Sequence, residues 1–136
     1  MQHGAKVLII PLILDATLET DGTTTFSFTD SEAPQLEGLG PFIESLRVMS
    51  VVRNRSTNFA YAVHVCWSLL GRSWTTPTAI QADVVANGES ASTPEYTTTV
   101  NFCGFKLKAL IGVRNSTGAA RESGQVSAWL VVTLKS

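Results

Sequence analysis

The chain is 136 residues long, with 44% hydrophobic residues, 15% charged residues and a net charge of −1. This length is enough for one domain with its own core. The charged fraction is below the roughly 25% of ordinary soluble domains. Such a surface either lies against other proteins or belongs to a β domain that uses Ser and Thr in place of charge. The sequence has no basic stripe, so nucleic acid is not an expected partner.

The first predicted element is the apolar run Val7–Leu14. Together with Lys6 it imitates a signal peptide, but it contains Pro11 and ends at Asp15 rather than at a small-residue cleavage site. The run is also too short to span a bilayer, so we expect no membrane partner. We predict that residues 1–14 form a first strand or an apolar arm that docks on a neighbour.

Strand patterns continue along the rest of the chain, whereas helical periodicity is nearly absent. Apolar and polar residues alternate in several runs, as in Leu46, Val48 and Val52. The eight predicted strands are Val7–Leu14, Thr23–Thr29, Leu46–Arg53, Ala60–Leu70, Thr78–Ala86, Thr97–Phe102, Phe105–Arg114 and Gln125–Leu134. The long connection from Asp30 to Glu44 is predicted to be an irregular surface loop.

The two halves of the sequence resemble each other. Leu46–Asn54 recurs as Leu107–Asn115, an offset of 61 residues (113 − 52), and Thr23–Phe28 recurs as Thr97–Phe102. Each half then continues into a strand with a tryptophan. Four predicted strands fall in each half, as two interlocked Greek keys require.

These patterns predict one all-β domain over residues 1–136, an eight-stranded antiparallel jelly-roll β-sandwich with two pseudo-repeated halves. The alternative is an immunoglobulin-like sandwich. It is disfavoured because no tryptophan lies on the expected strand between Cys66 and Cys103.

Cations lie at matching places in the two halves. Arg47 and Arg53 correspond to Lys108 and Arg114, on the strand face opposite the Leu and Val positions. They form either a solvated sheet face or two cationic rows that meet an acidic partner.

Residues able to carry chemistry are few. His64 and Cys66 share a strand face, but a metal needs three or four ligands, and no second pair is visible. We expect neither a metal nor another cofactor. No nucleophile–base pattern marks a catalytic residue, so we do not expect an enzyme. Cys66 and Cys103 are expected to be two separate buried thiols, with one bridge between them as the alternative.

The tryptophans are the remaining candidates for contact residues. Trp67 and Trp129 are expected to fill equivalent core positions in the two halves. Trp74 lies in a predicted turn outside any strand pattern, so we expect it to be exposed at a contact. The predicted partner-binding residues are Leu8, Ile10, Leu12, Leu14 and Trp74.

A compact jelly roll with little charge, an apolar N-terminal arm and no active-site pattern resembles the small virion proteins of tailed bacteriophages. In particular it resembles the decoration or cement proteins that stud a capsid, often as trimers. The resemblance is one of architecture. It implies a structural protein on the capsid surface, made in the host cytoplasm. Its partners would be the major capsid protein or neighbouring subunits, with a homotrimer as the favoured oligomer.

The alternative function is a carbohydrate-binding, lectin-like or receptor-binding module. It predicts an exposed aromatic platform around Trp74 or Tyr96, with a loop calcium near Asp15 to Asp21. A converging polar site for an enzyme is not apparent.

Overall fold

The computed structural model describes residues 6–31, 36–38, 42–91, 96–97, 106–118 and 120–135. Within these residues it contains ten β-strands. They are β1 (Lys6–Glu19), β2 (Ser27–Asp30), β3 (Leu36–Glu37), β4 (Ile43–Arg53), β5 (Phe59–Ser68), β6 (Thr78–Val84), β7 (Gly88–Ala91), β8 (Tyr96–Thr97), β9 (Lys106–Asn115) and β10 (Ser123–Leu134).

The strands form two antiparallel sheets. Sheet I has the order β1-β10-β4-β7, with β8 also on β4, and sheet II has the order β2-β9-β5-β6, with β3 also on β9. Because β10 covers one side of β4 along its length, β7 and β8 share the other side. Each sheet contains five of the described strands, and the predicted count of eight strands is not confirmed. The prediction of an all-β antiparallel sandwich is confirmed, and the strand order is that of a jelly roll.

Strands from the two halves of the chain mix within each sheet, because β4 and β10 lie in sheet I whereas β5 and β9 lie in sheet II. The predicted repeat is not confirmed. β9 pairs at Val113 with Ser27 of β2, within the predicted segment Thr23–Phe28, whereas β4 pairs at Val52 with Gly88 of β7, which lies outside the predicted counterpart Thr97–Phe102. The tryptophans do not correspond, because Trp67 pairs with Leu107 whereas Trp129 pairs with Met49. The predicted copy at 97–102 lies mostly outside the described residues.

Several strand boundaries differ from the predicted ones. β1 extends five residues beyond Leu14, to Glu19, β2 begins only at Ser27, and the predicted loop from Asp30 to Glu44 contains β3. β7 was not predicted, because four residues carry too little alternation to stand out. The predicted strands Thr97–Phe102 and Phe105–Arg114 fall partly on residues 98–105, which lie outside the described residues.

The core lies between the sheets and follows the predicted alternation of β4 and β9. Leu46, Val48 and Val52 are fully buried from β4, and Leu107 and Ile111 are buried from β9. On β5 both faces are buried, so that strand does not show the one wet face expected of an antiparallel sheet. Phe59 and Tyr61 supply the largest fully buried side chains of this core.

A series of hydrogen bonds between three polar side chains crosses the core from sheet II to sheet I and back. The Tyr61 hydroxyl donates a hydrogen bond to Oγ of Ser50. The Ser50 hydroxyl in turn donates to Oε1 of Gln81 at 3.2 Å. All three residues are buried. A buried hydroxyl is costly without a partner, so this series of hydrogen bonds ties β4 to β5 and β6 at one register.

β1 is an integral edge strand of sheet I. Lys6 to Pro11 pair without interruption with Leu134 to Trp129 of β10, and bulges follow between Pro11 and Ala16. Asp15 lies at a positive φ of 47° in this region, and its N–H donates to Oγ of Ser127 at 2.8 Å. Of the two predicted forms, strand or arm, the described residues adopt the strand.

Candidate interaction surface

The predicted contact residues of β1 divide between the two faces of the strand. Leu8 and Ile10 are partly buried against the protein's own core, and Leu12 is fully buried in it. These three side chains therefore contact the chain's own core, and their predicted contact with a partner stays a prediction. Leu14 is 53% exposed and stays a candidate for contact.

The exposed side chains of β1 continue an apolar area on the outer face of sheet I. We name this area the outer patch and define it by six residues: Val7, Ile9, Pro11, Met49, Trp129 and Val131. Directly paired residues of neighbouring strands point to the same face. Pro11, Trp129 and Met49 therefore form one row across β1, β10 and β4, and the next row consists of Ile9, the buried Val131 and Arg47.

Three members of the outer patch are strongly exposed: Val7 at 52%, Ile9 at 66% and Met49 at 45%. Trp129 is half-buried among them, so the expectation that it fills a core position is wrong. The alternation along β10 indicates the outward position of Trp129. Ala128 and Leu130 face the core, so Trp129 between them faces outward. Exposed apolar areas of this kind are typical of contact surfaces.

β1 also leaves its outer edge open. No other described strand pairs with the side of β1 that faces away from β10. At 14 residues it is the longest of the described strands, whereas the edge strand β6 has seven residues and the other edge segments, β2, β3, β7 and β8, have two to four each. Proteins usually keep edge strands short or covered, because unpaired backbone groups recruit other strands.

Trp74 lies on the opposite side of the molecule, beside sheet II. It is half-buried, and Nζ of Lys108 lies 4.5 Å from the centroid of its ring. The same ammonium lies 3.5 Å from Oδ1 of Asp30. One face of the indole is therefore occupied by a cation, and Trp74 does not join the outer patch.

Two aromatic rings cover the outer face of sheet II. The rings of Phe26 and Phe28 lie 5.2 Å and 4.8 Å from the imidazole of His64, centroid to centroid. Both rings lie over Gly112, where a Cβ atom would come within 3.0 Å of each. This cover contributes to the burial of His64 on the outer face of β5.

The predicted cationic rows lie on different sheets. Arg47 and Arg53 belong to β4 in sheet I, and Lys108 and Arg114 belong to β9 in sheet II. Some of these charges are paired within the chain: Arg53 with Asp15 at 3.3 Å, and Lys108 with Asp30. The four cations therefore do not form one surface for an acidic partner.

Among the described residues, no group of three or more His, Cys, Asp or Glu side chains is placed to hold a metal ion. Asp15, one end of the predicted calcium loop, is instead ion-paired with Arg53. No helix in the described part of the chain is long and apolar enough to cross a membrane.

Cys66 carries a free, buried thiol on β5, whereas Cys103 lies outside the described residues. Burial raises the pKa of Cys66 above its ordinary value of 9.0, although the charge of Lys108 acts in the opposite direction. A raised pKa in the folded state stabilises the fold at low pH, and this contribution is lost as pH rises through the folded pKa.

We therefore expect the free energy of unfolding to fall as pH rises above about 9, since the unfolded thiol ionises first. Burial also raises the pKa of Tyr61 above 10.0, which acts in the same direction at higher pH. Urea denaturation at pH 7, 9 and 10 should show a shallower fall for Cys66→Ala than for the wild type. Parallel curves for the two proteins would contradict this assignment.

Similar solved structures share the fold. VP2 in the subviral particle of infectious bursal disease virus superimposes with a TM-score of 0.69 at 13% identity, over 96% of this chain and 33% of that chain. The T13 viral particle of the same virus gives 0.69 at 12% identity, over 96% and 31%. The capsid asymmetric unit of cyanophage Pam1 gives a TM-score of 0.49 at 19% identity, over 98% and 90%, which is too low to show a shared fold.

This chain thus spans about one third of the length of VP2. No protein-family model matches the sequence, and no curated protein sequence matches it either. At such low identity, the likeness to VP2 establishes a common β-sandwich fold.

Proposed function

We propose that this protein is a structural virion protein of the capsid decoration or cement type. It binds the outer surface of a capsid and stabilises the shell through protein–protein contacts, without catalysis. The observation that carries this proposal is the outer patch, an apolar area with Ile9 66% exposed on a jelly-roll sheet. Such an area gains stability when a protein partner covers it.

The comparisons support the virion setting, because the solved structures that share the fold come from viral particles. The partners in this proposal are the major capsid protein and neighbouring subunits. A trimer is the form that the resemblance to phage cement proteins implies, and a two-fold pair is the other simple form. The solution mass distinguishes them.

The carbohydrate-binding alternative has less support. Its aromatic platform requires an open ring face at Trp74, but Lys108 lies over one of the two faces and the ring is half-buried. Its calcium loop requires free carboxylates, but Asp15 is paired with Arg53. The side chain of Tyr96 lies outside the described set.

The proposal is tested on particles from the cells that make this protein. We expect the protein to sediment with intact shells in a density gradient, and shells that lack it to form but to open at a lower temperature. Absence from the particle fraction would refute a virion role. Failure of shells to form without the protein would identify it as the shell-forming subunit instead.

A matched pair of variants locates the docking face. Met49→Lys places a charge at the β4 side of the outer patch, next to Trp129, and is expected to lower the amount bound to shells at least about tenfold. Thr57→Lys adds the same charge at an exposed loop between β4 and β5 and should bind as the wild type does. Equal binding by the two variants would move the docking face away from sheet I.

A further inference from the structure

We infer that two copies of this protein pair edge to edge through β1, in antiparallel orientation, so that sheet I continues from one copy into the other. The first support is the edge itself. Lys6 to Pro11 form a regular stretch that is bonded on one side only among the described strands. A long, uncovered edge with apolar side chains is a template for a further strand.

The second support is that residues Val7–Ile10 contain neither a charge nor a bulge that would prevent pairing. Edge strands that resist pairing carry a charge in mid-strand or are broken by bulges. Here the residues from Val7 to Ile10 are all uncharged and apolar, and the bulges begin only after Pro11. Pro11 has no backbone N–H to donate. The hydrogen bonds between the two copies of β1 are therefore limited to the residues before Pro11.

The third support is the charge distribution along β1. Lys6 is the only charged residue of the regular stretch Lys6–Pro11, and the carboxylates of Asp15 and Glu19 are already paired with Arg53 and Arg121. In an antiparallel pair centred on Leu8, Lys6 of each copy lies opposite Ile10 of the other, so the two ammonium groups lie at opposite ends of the ladder. A parallel in-register pair would place the two Lys6 side chains next to each other, so the charge pattern favours the two-fold arrangement.

Pairing through β1 also enlarges the outer patch. Val7 and Ile9 of the two copies would lie side by side on the same face, next to the Trp129 row of each. The pair thus presents one continuous apolar face to a shell. The docking of this enlarged face on a shell rests on the proposed function, whereas the pairing of two copies through β1 does not.

The test is the solution mass of the full chain by light scattering. We expect twice the chain mass of 14.6 kDa. Ile9→Lys and Val7→Lys each place like charges near the two-fold axis, so we expect each to raise the dissociation constant at least about tenfold. Both positions are more than half exposed, and circular dichroism checks that each variant is folded.

Met49→Lys is the matched control, because Met49 lies two strands away from the edge on the same face. Edge pairing predicts that Met49→Lys keeps the mass of two copies. A wild-type mass of one or three chains would overturn the pair, as would loss of the pair in Met49→Lys, which indicates face-to-face packing. These outcomes leave the sedimentation with shells unaffected, so the two proposals fail separately.

Discussion

Replacing Gly124 by alanine is expected to lower the free energy of unfolding by about 1–3 kcal/mol. Gly124 lies on β10, where a Cβ atom would come within 2.8 Å of Cδ1 and Cε1 of Phe59. The ring of Phe59 is fully buried between the sheets. It can move only by displacing other core side chains, because protein interiors are close-packed.

Gly112→Ala is the control for this prediction. Its Cβ atom would come within 3.0 Å of Cδ1 of Phe26 and Cε1 of Phe28, which is nearly as tight. However, Phe28 is 42% exposed, so its ring can move outward into solvent. Alanine also loses less backbone entropy than glycine on folding. We expect a change within about 1 kcal/mol of zero for Gly112→Ala, and urea denaturation compares the two. Equal losses for both variants would contradict the assignment of the cost to the buried ring.

Ser50→Ala is expected to cost about 1–3 kcal/mol of unfolding free energy, because it leaves the buried hydroxyl of Tyr61 without its partner. It also removes the donor to Gln81. Tyr61→Phe should cost less, about 1 kcal/mol, since Ser50 keeps Gln81 as its acceptor. The asymmetry arises because Ser50 is the middle member of this series of hydrogen bonds.

A double-mutant cycle with Ser50→Ala and Tyr61→Phe measures the coupling between the two hydroxyls. We expect the loss of unfolding free energy in the double variant to be smaller than the sum of the two single losses. The reason is that the double variant has no buried tyrosine hydroxyl without a hydrogen-bond partner. Strictly additive losses would show that the two hydroxyls do not depend on each other.

The sequence allowed the sandwich to be predicted where alternation is regular. The apolar positions of β4 and β9, such as Val48 and Ile111, are buried as expected. Such a pattern works because a strand between two neighbours has a fixed period of two. Segments of two to four residues, such as β3 and β7, are too short for the period to be seen.

The candidate surface was harder to predict. β1 reads as a continuous apolar run, so its sequence does not show which residues face the core. The bulges between Pro11 and Ala16 then shift the phase, so that Leu12 and Ile13 are both buried. Trp129 was assigned to the core by its resemblance to Trp67, although the alternation of β10 placed it outside. In β10 the alternation of apolar and polar residues predicts the position of Trp129 correctly, whereas the resemblance between the two halves does not.

The position of β10 has a consequence for how the chain reaches its fold. β10 is the last strand in the sequence, yet it lies between β1 and β4 in sheet I. During synthesis β1 therefore cannot form its pairing with β10 until residues 123–134 have emerged from the ribosome. Contacts of such long sequence separation slow folding. The apolar residues of the first strand stay unpaired longest, and a ribosome-bound or carboxyl-terminally truncated chain would be the form most prone to aggregate.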